Sequence, residues 1–177
     1  QVPLSVQSLR DDRWWDTIQA RLEATPGLAA RLVLEITETA PLTDISPAVR
    51  FVGGMRRLGC RFALAGFGAG HASIRQLLAL APDFAKIDGL FVHRATLSAQ
   101  GEALLYHLIG TASAMGAAAI VDGVETAEQA ALAQQAGGRW QQGHHWGCPS
   151  LIRPWRTRLP VSVRPGLHCR EVHHADA

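Results

Sequence analysis

Apolar and polar positions along the chain fall into short β-branched runs separated by stretches of helical period. Residues 2–7 alternate apolar and polar and predict a strand. Asp11 and Asp12 then open a helix with Trp14, Trp15, Ile18 and Leu22 on one face, ended by Pro26 and Gly27. Residues 32–37 (LVLEIT) predict a second strand. Ser46-Pro47 has the form of an N-cap with proline at the first helical position, and that helix stops near Gly59. Residues 61–65 predict a third strand, which enters the glycine-rich turn 66–70. A helix over about 73–80 leads through Pro82 to a fourth strand at 84–88. Residues 96–116 predict one long helix, and 117–121 a buried fifth strand. Thr126 caps a further helix with Glu128 and Gln129 close behind, Gly137-Gly138 ends it, and 139–142 predict a sixth strand.

Alternating strands and helices, with strands apolar enough for burial on both faces, predict a parallel α/β fold, either a barrel or an open doubly wound sheet. Polar and acidic residues gather where the strands end: Gln7, Glu35 with Glu38, Asp88, Asp122 with Glu125, and Gln142. In a β/α barrel that rim carries the active site. Six strands are two short of closure, so the chain is expected to be a barrel incomplete at its N-terminus. Beyond Pro149 the pattern fades, and residues 151–177 are expected to form a partly irregular extension to a domain over 1–150.

Charge and cysteine content narrow the function classes. The formal net charge is only +2, and the basic excess sits in Arg153, Arg156, Arg158, Arg164 and Arg170. That argues against a nucleic-acid-binding domain, while leaving a tail able to touch an acidic partner. Three scattered cysteines, Cys60, Cys148 and Cys169, do not describe a disulfide framework, so a reducing cytoplasm is the expected setting. The longest apolar stretch, 112–121, is too short to span a bilayer.

The motifs, taken in order, resemble those of the EAL family, cyclic di-GMP phosphodiesterases built on a modified TIM barrel. LSVQS (4–8) sits where the family has L-S-V-N-L-S. LVLEITETA carries Glu35 and Glu38 like the family's E-x-T-E, and FALAGFGAGHASI (62–74) is similar to F-A-L-D-D-F-G-T-G-Y-S-S-L. PDFAKIDGLFV (82–92), VDGVET (121–126) and QQGHHWGCP (141–149) resemble P-D-x-x-K-I-D-x-x-F-V, A-E-G-V-E-T and x-Q-G-Y-x-F-G-R-P. The resemblance runs from residue 2 to about 150.

What the resemblance implies is a rim on which two Mg²⁺ or Mn²⁺ ions polarise a phosphodiester and activate water. Carried over residue by residue, Glu35, Gln7 and Asp122 are the metal-side positions, Lys86 and Glu125 the catalytic ones, and Gln142, Gly68, Gly70, Asp88 and Pro149 the ligand-binding ones. The departures are large. Gln7 replaces the family's Asn, Asp122 replaces a Glu, Cys148 replaces an Arg, and the paired metal-binding aspartates become Ala65 and Gly66. The Glu of the E-A-L motif would lie upstream of Gln1. With these losses the site is expected to be vestigial and to take no metal cofactor, with Lys86 left to pair with Glu35 or Asp122.

The expected function is thus a catalytically inactive EAL-type signalling domain, either a protein-interaction module or a cyclic di-GMP receptor, with the balance slightly toward protein interaction. The alternative is an active or weakly active phosphodiesterase. A homodimer completing the barrel is a third expectation. Several features carry blander readings. The 66–70 turn either cradles a phosphate or is simply tight, Trp14 and Trp15 pack a helix, and His144 and His145 are partly exposed packing. The group His168, Cys169, His173 and His174 lies in a frayed tail poorly suited to zinc.

Overall fold

The computed structural model describes residues 1–5, 13–25, 27–37, 45–69 and 74–148. The sheet has six strands in sequence order, all parallel: β1 (Val2–Ser5), β2 (Val33–Thr37), β3 (Arg61–Phe67), β4 (Phe84–Ile87), β5 (Ala118–Val121) and β6 (Trp140–Gln141). Each pair of successive strands is joined by helical structure, the repeated β/α unit from which TIM-like barrels are built. The helices are α1 (Arg13–Glu23), α2 (Ser46–Arg57), α3 (Ile74–Leu80), α4 (Gly89–Ala95), α5 (Ala99–Ala114) and α6 (Ala127–Gln135).

Strand apolarity sets the core. Ile36, Phe62, Leu64, Ile87 and Val121 are almost fully buried, and the helices close over them with Met55, Leu77, Val92 and Leu105. A chain of rings anchors the first helices: Trp15 meets Phe51 edge-on at 4.4 Å between centroids, and Phe51 meets Phe62 at 6.2 Å. Trp15 is therefore packing, as its position in the apolar face of α1 implies; the side chain of Trp14 lies outside the described residues.

Where the sequence reading and the structure part, capping is the reason. Ser46 is the first residue of α2, and Ile45 holds the cap position without a side-chain bond. The helix expected over 96–116 is α5, and a separate short helix, α4, precedes it where none was expected. Asp88 accepts from the Leu90 N–H at 2.9 Å and starts α4, and Ser98 accepts from Gly101 N–H to start α5. Gly101 makes the α4–α5 corner possible, since a Cβ there would stand 2.1 Å from the Arg94 carbonyl oxygen. The expected cap at Thr126 is a full capping box with Gln129. The expected extension over 151–177 lies outside the described residues.

Two features position the strand ends. Asp83 extends the β3–β4 ladder: its N–H donates to the Phe62 carbonyl at 2.9 Å, and its carboxylate accepts from the Phe62 N–H at 2.8 Å. At the other end, the register between β3 and β4 shifts between Leu64 and Phe67, so Ala65 and Gly66 form a bulge. Gly66 has φ +68°, with open space where a Cβ would point.

Candidate functional site

Parallel strands place all their C-terminal ends on one side of the sheet, and the ion cluster lies there. Glu35 is on β2 and Lys86 on β4, with β3 between them. On that middle strand Ala65 and Gly66 carry almost no side chain, and Lys86 reaches across to β2. Its Nζ donates to Glu35 Oε1 at 2.9 Å and also reaches Asp122 Oδ2, just beyond β5, at 2.9 Å. Lys86 is 4% exposed and Glu35 9%, whereas the Asp122 side chain is about one-third exposed.

This geometry fixes the electrostatics. Burial by itself lowers the pKa of a lysine, but the hydrogen bonds to Glu35 and Asp122, with the charges behind them, outweigh it and hold Lys86 above its ordinary value. The cluster is one ammonium bridging two carboxylates. Asp122 is tied down further, accepting from the Gly123 N–H at 2.9 Å while its own N–H donates to the Ile87 carbonyl at 3.0 Å. Gly123, at φ +68°, lets this loop approach the start of α4, since a Cβ on it would stand 2.9 Å from the Gly89 Cα.

The remaining candidates stand at the same strand ends with different contacts. Asp88 spends one carboxylate oxygen on capping α4. Glu125 is exposed, and its backbone N–H donates to Gln129 Oε1 at 2.7 Å. Gln142 is exposed, with its backbone bonded to Val121 and Val124. Gly68, at φ +97°, has Phe91 ring atoms 2.7 Å and 3.0 Å from where a Cβ would be, so packing alone accounts for glycine there. Gln7, Glu38, Gly70 and Pro149 lie outside the described residues, as do His168, Cys169, His173 and His174.

The sequence reading passed over one feature of this rim. Gly143 is wedged against the β5–α6 loop, where a Cβ would stand 2.0 Å from the Val124 carbonyl oxygen, and the turn after it presents Trp146, 60% exposed. The signal was the glycine directly after Gln142. Cys60 is a buried free thiol whose pKa burial raises.

No helix among the described residues is long and apolar enough to cross a membrane. Among them no group of three or more His, Cys, Asp or Glu side chains is arranged to hold a metal ion. Of the described oxygen donors at the strand ends, Glu35 and Asp122 are engaged by Lys86 and Asp88 caps α4 with one oxygen, while the side chains of Ala65 and Gly66 supply none. By themselves these residues do not fit a pair of divalent ions.

The family model described as EAL domain matches residues 1–149. The chain is 34% identical over 119 residues to the cyclic di-GMP phosphodiesterase PdeL of Escherichia coli, covering 67% of this chain and 33% of that protein. It is 33% identical over 129 residues to the cyclic di-GMP phosphodiesterase PdeB of Shewanella oneidensis, covering 71% and 15%. The chain thus spans a third or less of the length of these two relatives. Among solved structures it is similar to the Bacillus subtilis YkuI protein, with an EAL domain, in complex with substrate cyclic di-GMP and calcium (27% identity, TM-score 0.71, 85% of this chain and 37% of that one). It is also similar to Klebsiella pneumoniae BlrP1 in a manganese and cyclic di-GMP complex (25% identity, TM-score 0.69, 81% and 37%). These complexes correct the expectation that the chain takes no metal cofactor. That expectation rested on ligand loss alone, whereas the structures it resembles hold calcium or manganese together with the nucleotide.

Proposed function

This chain belongs to the EAL-domain family, and we propose that it binds cyclic di-GMP as a regulatory signalling domain without hydrolysing it at an appreciable rate. The observation that carries the reading is the Lys86 bridge. Glu35 and Asp122 are both held by one buried ammonium, and β3 offers no side-chain oxygen at 65 or 66. A protonated lysine held by two carboxylates neither generates a hydroxide from water at neutral pH nor abstracts a proton from one. The nucleotide reading is supported by the family match and by neighbours solved with cyclic di-GMP. In this reading a neighbouring domain or protein partner senses the bound state, and the cytoplasm is the natural setting for a second-messenger receptor.

A second reading, slow metal-dependent hydrolysis, is favoured by the relatives named phosphodiesterases and by the presence of Glu35, Lys86 and Glu125. One experiment separates the two. Cyclic di-GMP is titrated into the chain by calorimetry with calcium, and the same mixture with manganese is followed by chromatography for the linear dinucleotide. Binding without conversion is the expected result, and conversion favours the second reading. Absence of binding with either ion overturns the nucleotide-receptor proposal.

A further inference from the structure

Trp146 has an exposed indole on a backbone that has little freedom to move. Gly143 sits against Val124 so closely that no side chain fits between them, and the turn that follows is pinned by a ladder of bonds. The Val124 N–H donates to the Gln142 carbonyl at 3.0 Å, the His145 N–H to the Val124 carbonyl at 3.1 Å, and the Trp146 N–H to the Gly143 carbonyl at 3.1 Å. Val124 is two residues past Asp122, the outer carboxylate of the ion cluster, so this turn is bonded to the loop that carries part of the cluster. The indole is braced by the His145 ring, edge-on at 4.9 Å, and still leaves 60% of the residue open to solvent.

Exposing a tryptophan costs free energy that burial would recover, and packing elsewhere in this domain covers Trp15 almost completely. We propose that Trp146 is a stacking platform for a purine base of the nucleotide bound at this rim. The inference rests on the cyclic di-GMP reading and adds a residue to it. Every nucleobase has a π-face, so a rigid indole needs no hydrogen-bond code to hold one, and a pinned backbone spares the ordering cost of binding. A protein partner is the competing occupant. The nucleotide is preferred because the structures this chain resembles hold one, and because the turn that carries the indole is bonded to Val124, on the loop that holds Asp122.

The test uses the full chain with calcium present, titrated with cyclic di-GMP by calorimetry and by tryptophan fluorescence. Trp146→Ala should weaken binding by about 5- to 150-fold, the range expected for losing one stacked base. Trp146→Phe, which keeps an aromatic face, should stay within several-fold of the unmodified chain and lose the fluorescence change that binding produces. Because the side chain is exposed, the melting temperature should be the same in all three, which separates stacking from folding. Equal affinity for the unmodified chain and Trp146→Ala overturns the stacking role while leaving the receptor reading intact. No binding by the unmodified chain overturns both together.

Discussion

The Lys86 ammonium and the Glu35 carboxylate, 51 residues apart in sequence, meet at 2.9 Å in a site nearly closed to water. Pairs like this are asymmetric in energy: the intact pair adds little net stability, but removing one partner leaves a buried charge uncompensated. Glu35→Ala leaves Lys86 with Asp122 alone, so the loss should fall near the lower end of the buried-pair range, about 3 kcal/mol by urea unfolding. Lys86→Met, which leaves two carboxylates facing each other, should cost as much or more. A loss under about 1 kcal/mol for Glu35→Ala would mean that solvent screens the pair as it does at surfaces.

The same pair sets a pH dependence. Lys86 is held above its ordinary pKa because the hydrogen bonds and charges of Glu35 and Asp122 outweigh the opposing effect of burial. The folded value therefore lies above the unfolded one, and the stabilisation is complete below the unfolded value. It disappears as pH rises through the folded value. The stability gap between the unmodified chain and Lys86→Met should stay flat across about pH 6 to 9 and narrow only above about pH 10.4. Narrowing already between about pH 7 and 8 would count against the assignment.

Much of the fold was legible because apolar strand runs and cap residues are local signals. Glu35, Lys86 and Asp122 were found through the motifs around them. Three things were hidden. Helix α4 is only seven residues long and starts directly on Asp88, the residue that the reading gave to the end of the fourth strand. The bulge at Ala65 and Gly66 is a matter of register between two strands, invisible in either strand alone. Lys86 bonds to Glu35 and Asp122 together, where the sequence posed a choice of one, because β4 lies between the strands that end at the two carboxylates.

Glycines on the rim should differ sharply in what they tolerate. At Gly143 a Cβ would overlap Val124 backbone atoms at 2.0–2.6 Å, so Gly143→Ala must break the β6 turn away from the β5–α6 loop. The expected cost is about 3 kcal/mol, the top of the overpacking range, with loss of nucleotide binding. At Gly66 the Cβ direction is open and only the left-handed φ of +68° resists, so Gly66→Ala should cost about 1–2 kcal/mol. Comparable thermal shifts for the two variants would show that the turn can move aside.

That open space at Gly66 makes the question of turnover testable by adding groups as well as by removing them. Hard divalent ions are held by several oxygen donors, and affinity rises steeply with the number of carboxylates. Ala65→Asp with Gly66→Asp puts two carboxylates on the bulge between Glu35 and Lys86, with aspartate among the residues that best tolerate a left-handed φ. Manganese affinity measured by calorimetry should rise by about tenfold or more over the unmodified chain. The unmodified chain, incubated with manganese and cyclic di-GMP, should show no linear product. Loss of a single electrostatic group in a catalytic site commonly lowers turnover about 10²–10³-fold, and here the carboxylates of two adjacent positions are missing together. Such losses need not multiply, so the decisive control is chemical. Manganese-dependent turnover by the unmodified chain, abolished by Glu35→Ala in protein shown to be folded, would establish that the Lys86 bridge opens during catalysis and that this domain is an enzyme.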